Sequence, residues 1–132
     1  VAVICSEQTE NKIFDMINAM AEKKQKKAME LYYDLLALKE PPMRILYLIT
    51  RQFNLLMQVK ELSEEGYSAK TISERLKMAG FIVRNCLRQA EYFSLKTLKE
   101  ALQDCVRMEE AVKTGRMNDV MSVELLLVKY SS

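Results

Sequence analysis

Apolar residues recur every three or four positions along most of the chain, and the period breaks off at Pro41-Pro42, Gly66, Gly80 and Gly115. That spacing puts the apolar side chains on one face of an α-helix, and the breaks mark helix boundaries. From about Asn11, the positions Ile13, Phe14, Ile17, Met20 and Ala21 predict a short first helix, with Thr9 or Asn11 as its cap. After the basic stretch Lys23-Lys24-Gln25-Lys26-Lys27, the positions Ala28, Leu31, Leu35, Leu36 and Leu38 predict a second helix. It must end before Pro41, because proline disfavours α geometry in the residue before it. Pro42 suits the first position of the next helix. There Ile45, Leu46, Leu48, Ile49, Phe53, Leu55, Leu56, Val59 and Leu62 cover more than half the circumference up to Gly66. A helix of that kind, about 22 residues and ~33 Å long, is wrapped by neighbours and serves as a central post.

In the second half Ser68 is placed to cap a short helix carrying Ile72 and Leu76. Gly80 interrupts it, and Phe81, Val83, Leu87, Ala90 and Phe93 are expected inward on another helix reaching about Tyr92. Ser94 then caps a long helix with Leu98, Ala101, Leu102, Cys105, Met108 and Val112 inward, closed by Gly115 just past its last turn. Asn118 or Asp119 starts a final helix whose Val120, Val123, Leu126, Leu127 and Tyr130 face the rest. The pattern predicts an all-α fold, a single bundle of about six to seven helices. Residues 1–10 open with the β-branched run Val1-Ala2-Val3-Ile4-Cys5 and read as a linker or strand tail from an upstream module, with 11–132 as the helical domain.

Composition sharpens this picture chiefly by exclusion. Three Gly and two Pro in 132 residues leave little material for tight hairpins. Histidine is absent, which removes every imidazole base, the Ser-His-Asp and Cys-His nucleophile systems, and the commonest nitrogen ligand of zinc and di-iron sites. Twenty Lys+Arg against 18 Asp+Glu give a formal charge of +2, no strong field of either sign. Cys5, Cys86 and Cys105 are odd in number and far apart, which argues against a disulfide framework and for a reducing cytoplasm. No apolar run approaches the ~20 residues of a membrane span.

Few constellations could carry chemistry. The stretch Ser68 to Leu76, the turn at Ala79-Gly80, and a helix presenting Arg84, Asn85, Arg88 and Gln89 resemble a helix-turn-helix. In that alternative, a small DNA-binding regulator, Arg84, Arg88 and Gln89 would read base edges. Any tight two-helix corner with a polar outer face looks the same, and no basic cluster accompanies this one. The lysines at 23, 24, 26 and 27 read as a solvated connector, and the adjacent pairs Glu64-Glu65 and Glu109-Glu110 diverge by about 100° on a helix and cannot converge on a substrate. Cys86 and Cys105 lie on apolar stripes and read as small core residues. No phosphate-cradling glycine loop and no nucleophile elbow occurs.

Taken in order, Ile13-Phe14-Asp15, Ala28-Met-Glu-Leu-Tyr-Tyr-Asp-Leu-Leu36 and Pro42-Met-Arg-Ile-Leu-Tyr-Leu-Ile-Thr-Arg-Gln-Phe-Asn-Leu-Leu56 resemble the C-terminal domain of the bacterial DNA polymerase III delta subunit. Glu109-Glu-Ala-Val-Lys-Thr-Gly115 is similar to that family's acidic-x-x-x-Lys-[Ser/Thr]-Gly corner, and Val123-Glu-Leu-Leu-Leu-Val128 to its closing helix. Two departures stand out: Glu109 where the family more often has Asp, and Ala79-Gly80 before Phe81 where many members have Pro.

The resemblance implies a collar domain of the clamp loader, the assembly that opens the sliding clamp and loads it on primed DNA in the cytoplasm. It implies no cofactor and no catalytic residue in this stretch, although the parent holoenzyme is a nucleotidyltransferase. The partners it implies are the other loader subunits, met through the collar. The clamp would be met only by upstream parts and DNA only indirectly, and the domain alone is expected to be monomeric or weakly self-associating. The subunit contact is expected on the last two helices, with Met117, Val120 and Met121 partly exposed near their connection and Arg107, Lys113 and Arg116 framing them.

Overall fold

The computed structural model describes residues 7–132. Among these residues there are seven helices and no strand: α1 (Glu7–Ala21), α2 (Gln25–Ala37), α3 (Pro42–Glu64), α4 (Ala69–Leu76), α5 (Gly80–Ala90), α6 (Leu95–Lys113) and α7 (Asp119–Ser131). The expected strand tail at Val1–Cys5 lies outside the described residues. Among the described residues no helix is long and apolar enough to cross a membrane.

The post is α3. It packs against α1, α4, α5, α6 and α7, while α2 closes the bundle against α1 and α7. Pro42 occupies its first turn, where the missing N–H costs nothing. Ile45, Leu46, Leu48, Ile49, Phe53, Leu56 and Val59 are buried as the pattern predicts, and Leu55 and Leu62 are half-buried. At the middle of the core, the Phe53 ring meets Phe93 edge-on at 5.8 Å and the tilted ring of Tyr130 at 6.2 Å, a geometry favoured by the ring quadrupoles.

Three helices start at the expected caps. The hydroxyls of Ser68 and Ser94 accept from the backbone N–H of Thr71 and Thr97, and the Asn118 side chain accepts from Met121. Elsewhere the long-range structure overrides the local signal. Helix α1 starts at Glu7 rather than near Asn11, so neither Thr9 nor Asn11 caps it. Thr9 is instead buried, and its hydroxyl donates to Glu40 at 2.7 Å, a partner 31 residues away. Leu38 follows the last turn of α2 and is 52% exposed; the inward position belongs to Tyr32, whose hydroxyl donates to the Val120 carbonyl at 2.8 Å. Phe81 is also outward, 61% exposed, because α5 turns Val83, Cys86, Gln89 and Ala90 to the core and a residue two positions before Val83 faces the opposite way.

Candidate interaction surface

Helices α6 and α7 form a hairpin held by one buried carboxylate. Asp104 accepts from the Lys129 ammonium at 2.6 Å, from the Tyr130 hydroxyl at 2.5 Å and from Arg107 at 3.1 Å. Burial alone would raise its pKa. The hydrogen bonds from Lys129 and Tyr130, and the charges of Lys129 and Arg107, overcome that and hold it below the usual carboxylate value. The same contacts push Lys129 and Tyr130 upward, Lys129 through its bond to Asp104 and Tyr130 through burial first. On the other side of α7, Tyr33 of α2 donates to Glu124 at 2.7 Å, and the buried Tyr32 reaches the first turn.

These ties fix which face of α7 points outward. Val123, Leu126, Leu127 and Tyr130 are buried, whereas Met121, Leu125 and Val128 are 50%, 43% and 37% exposed. Spacings of four and three put those three on one stripe, with Glu124 and Lys129 on its two flanks. The run Leu125-Leu126-Leu127-Val128 is apolar around the whole circumference. That is the sequence signal for a helix with an apolar face beyond the one it buries, and the inward-facing positions alone did not reveal it. Leu125 and Val128 are therefore surface residues missed in the sequence.

The six expected interface residues divide between two places. Lys113, Arg116 and Met117 sit at the α6–α7 corner. Lys113 pairs with Glu109 at 3.5 Å, and the Arg116 Nε donates to the Thr114 hydroxyl at 3.0 Å. Met117 and Val120 are half-buried and Met121 is exposed beside them. Arg107 is exposed but stands apart: through Asp104 it is joined to the C-terminal turn of α7, about 12 Å along that helix from Met121. It flanks the far end of the stripe rather than framing the corner.

The helix-turn-helix alternative is not favoured, because one of its three reading side chains is spent inside the core. Gln89 is 1% exposed; its amide nitrogen donates to the Phe14 carbonyl and the Asn18 side chain, both at 3.0 Å, and its oxygen accepts from Gln52 at 2.9 Å. A side chain spent in this way joins α1, α3 and α5 and cannot reach a base. Arg84 and Arg88 are exposed, and Arg88 leans on Asn85 at 3.4 Å. The lysines at 23, 24, 26 and 27 and both glutamate pairs are exposed, although Lys26 and Lys27 belong to the first turn of α2 rather than to a connector, and Cys86 and Cys105 are buried as the pattern predicts. Burial raises both thiols, Cys105 to about 11.

Comparison with known proteins agrees with this architecture. The chain is 33% identical over 129 residues to the DNA polymerase III subunit delta of Bacillus subtilis (strain 168), covering 98% of this chain and 37% of that protein. The solved structure of the Bacillus subtilis DNA clamp loader delta protein superposes with a TM-score of 0.89 at 33% identity, over 93% of this chain and 36% of that one. The chain thus spans little more than a third of the relatives it matches. The family described as the DNA polymerase III delta subunit, C-terminal domain, matches residues 10–130, and with an all-helical fold and nearly the full length matched, the chain belongs to that family.

Proposed function

We propose that this domain is a collar element: it holds a delta subunit among the other subunits of a clamp loader in the bacterial cytoplasm and carries out no chemistry itself. The observation that supports this reading is the stripe Met121, Leu125 and Val128. It is an apolar surface on a helix whose opposite face is fixed by Tyr32, Asp104 and the core, so it is rigid before any partner arrives. A preorganised apolar centre with charged groups around it is the anatomy of a protein interface. Lys113 and Arg116 border the stripe at the corner end and Arg107 at the other, so the expected interface residues join it as its charged rim. Neighbouring subunits linked into one assembly meet at high effective concentration, so the surface can be small and still suffice.

The test is co-purification of the full-length protein with the other loader subunits. Leu125→Asp combined with Val128→Asp should abolish recovery of the assembly while leaving the circular dichroism spectrum and melting temperature of the protein unchanged. Charge reversal at Arg107 and Arg116 should weaken assembly more at low salt than at high salt. Full assembly by the double aspartate variant would remove this face from consideration.

A further inference from the structure

We propose that the groove between α1 and α5 docks an acidic amphipathic helix of another protein. Helices α1 and α5 are clasped at Gln89, whose side chain bonds Phe14 and Asn18. On the N-terminal side of that clasp lies a cavity of about 700 Å³, floored by α3. Ile13 and Phe14 of α1, Leu48 and Leu55 of α3, and Phe81 and Ile82 of α5 are among its lining. Phe81 and Ile82 are 61% and 38% exposed. Large apolar side chains exposed together in a concave site mark a place where a partner binds.

The charge around the groove sets the chemistry of the occupant. Between positions 75 and 90 the chain carries Arg75, Lys77, Arg84 and Arg88 and no Asp or Glu, although the whole chain nets only +2. Lys77 stands in the lining, and the Arg84 guanidinium lies beside Gly80 at the first turn of α5. Neither has a carboxylate partner among the described residues. That first turn has no acidic residue and no side-chain cap, so its N–H groups add to the positive end. On the opposite wall Glu10 is already paired with Arg51, at 4.0 Å. Acidic side chains on the partner complement this rim. The walls are helices, whose backbone groups are bonded internally, so the groove offers no edge for an added strand. Its occupant must satisfy its own backbone, as a helix does. Leu48, Gln52 and Leu55 line the floor at helical spacing over ~10 Å, which matches apolar residues three and four apart on a docked helix. A nucleic acid would answer the charge but leave the concave apolar walls unfilled. No lining residue belongs to α6 or α7, so the inference does not depend on the collar reading.

The experiment measures fluorescence anisotropy with the full-length protein and two fluorescein-labelled helical peptides of about four turns. Both carry leucines four and three apart along one face; the remaining positions are glutamate in one and lysine in the other. The glutamate peptide should bind at least tenfold more tightly than the lysine peptide. Ile82→Asp should weaken it at least tenfold, and the uncharged variant Phe81→Ser should weaken it as well, both with an unchanged melting temperature because the two side chains are exposed. Lys77→Glu should weaken it at least fivefold, by a factor that shrinks at high salt. Leu125→Asp combined with Val128→Asp should leave binding intact, which separates this groove from the stripe on α7. Absence of binding by both peptides, equal binding of the two, or binding insensitive to Ile82→Asp and Phe81→Ser would overturn the proposal. Displacement of the glutamate peptide by a single-stranded oligonucleotide more readily than by unlabelled peptide would also overturn it, by naming a nucleic acid as the occupant.

Discussion

The Tyr130 hydroxyl donates to the Asp104 carboxylate at 2.5 Å, and both groups lie under the surface where α7 ends. This bond, with that from Lys129, sets the rotation of α7 on α6 and therefore which apolar stripe remains outside. Removing the acceptor leaves a buried hydroxyl without a partner, which costs more than the net value of the bond. Asp104→Ala should destabilise the domain by about 1–3 kcal/mol, measured as a shift in the urea midpoint, and Tyr130→Phe, which deletes the orphan along with the bond, by about 1 kcal/mol. Equal costs for the two would mean that water replaces the missing carboxylate.

The same carboxylate gives stability a sign with pH. Its pKa is lower folded than unfolded, so the unfolded chain binds the proton first on acidification. Its contribution is complete above the unfolded value of about 4 and is lost as pH falls through the depressed native value. Urea midpoints measured between pH 6 and pH 2 should therefore fall for the parent protein more steeply than for Asp104→Asn, and the gap between the two should close toward the acid end. A gap that stays constant with pH would show that the Asp104 carboxyl has the same pKa folded and unfolded.

Gln89 and Arg88 are adjacent on α5, and their contrast separates a structural from a DNA-reading role. Gln89→Ala removes a buried amide with three partners on α1 and α3, and should cost about 2–3 kcal/mol. Arg84→Ala and Arg88→Ala alter exposed side chains and should stay within about 0.5 kcal/mol of the parent. Chemical denaturation of the three variants decides the matter. A costly Arg88 and a silent Gln89 would reverse the assignment.

How far the fold was legible follows from the range of the forces involved. The seven helices, the α3 core and the three polar caps were readable because periodicity, proline and serine act within one or two turns. Thr9, Gln89 and Tyr32 were misread or missed because their partners lie 31, 75 and 88 residues away and no local pattern encodes them. The interface stripe was half legible. Met121 was anticipated from its place near a loop, but Leu125 and Val128 were hidden inside a run of four apolar residues whose outward members cannot be told from inward ones until neighbours fix the rotation.

Helix endings show the same limit, and one further prediction comes from them. At the ends of α3 and α6 a left-handed Gly66 or Gly115 follows the last turn, with the following N–H bonded back to Leu62 or Ala111. The ends of α1 and α2 have the same closure, the N–H of Lys24 and Glu40 reaching back to Ala19 and Leu35, but the left-handed residue is Lys23 or Lys39, at φ +63° and +70°. Reading glycine as punctuation cannot find those two ends. A side chain held at positive φ costs about 1–2 kcal/mol, offset in part by the entropy glycine brings to the unfolded chain. Lys39→Gly should therefore stabilise the domain by about 0.5–1 kcal/mol. Lys23→Gly should gain less, because the Lys23 ammonium also donates to the Tyr130 carbonyl at the end of α7, at 3.4 Å. Thermal unfolding of the two variants beside the parent measures the order: Lys39→Gly highest, Lys23→Gly between, the parent lowest. A destabilised Lys39→Gly would show that the α2 closure carries no strain for glycine to relieve.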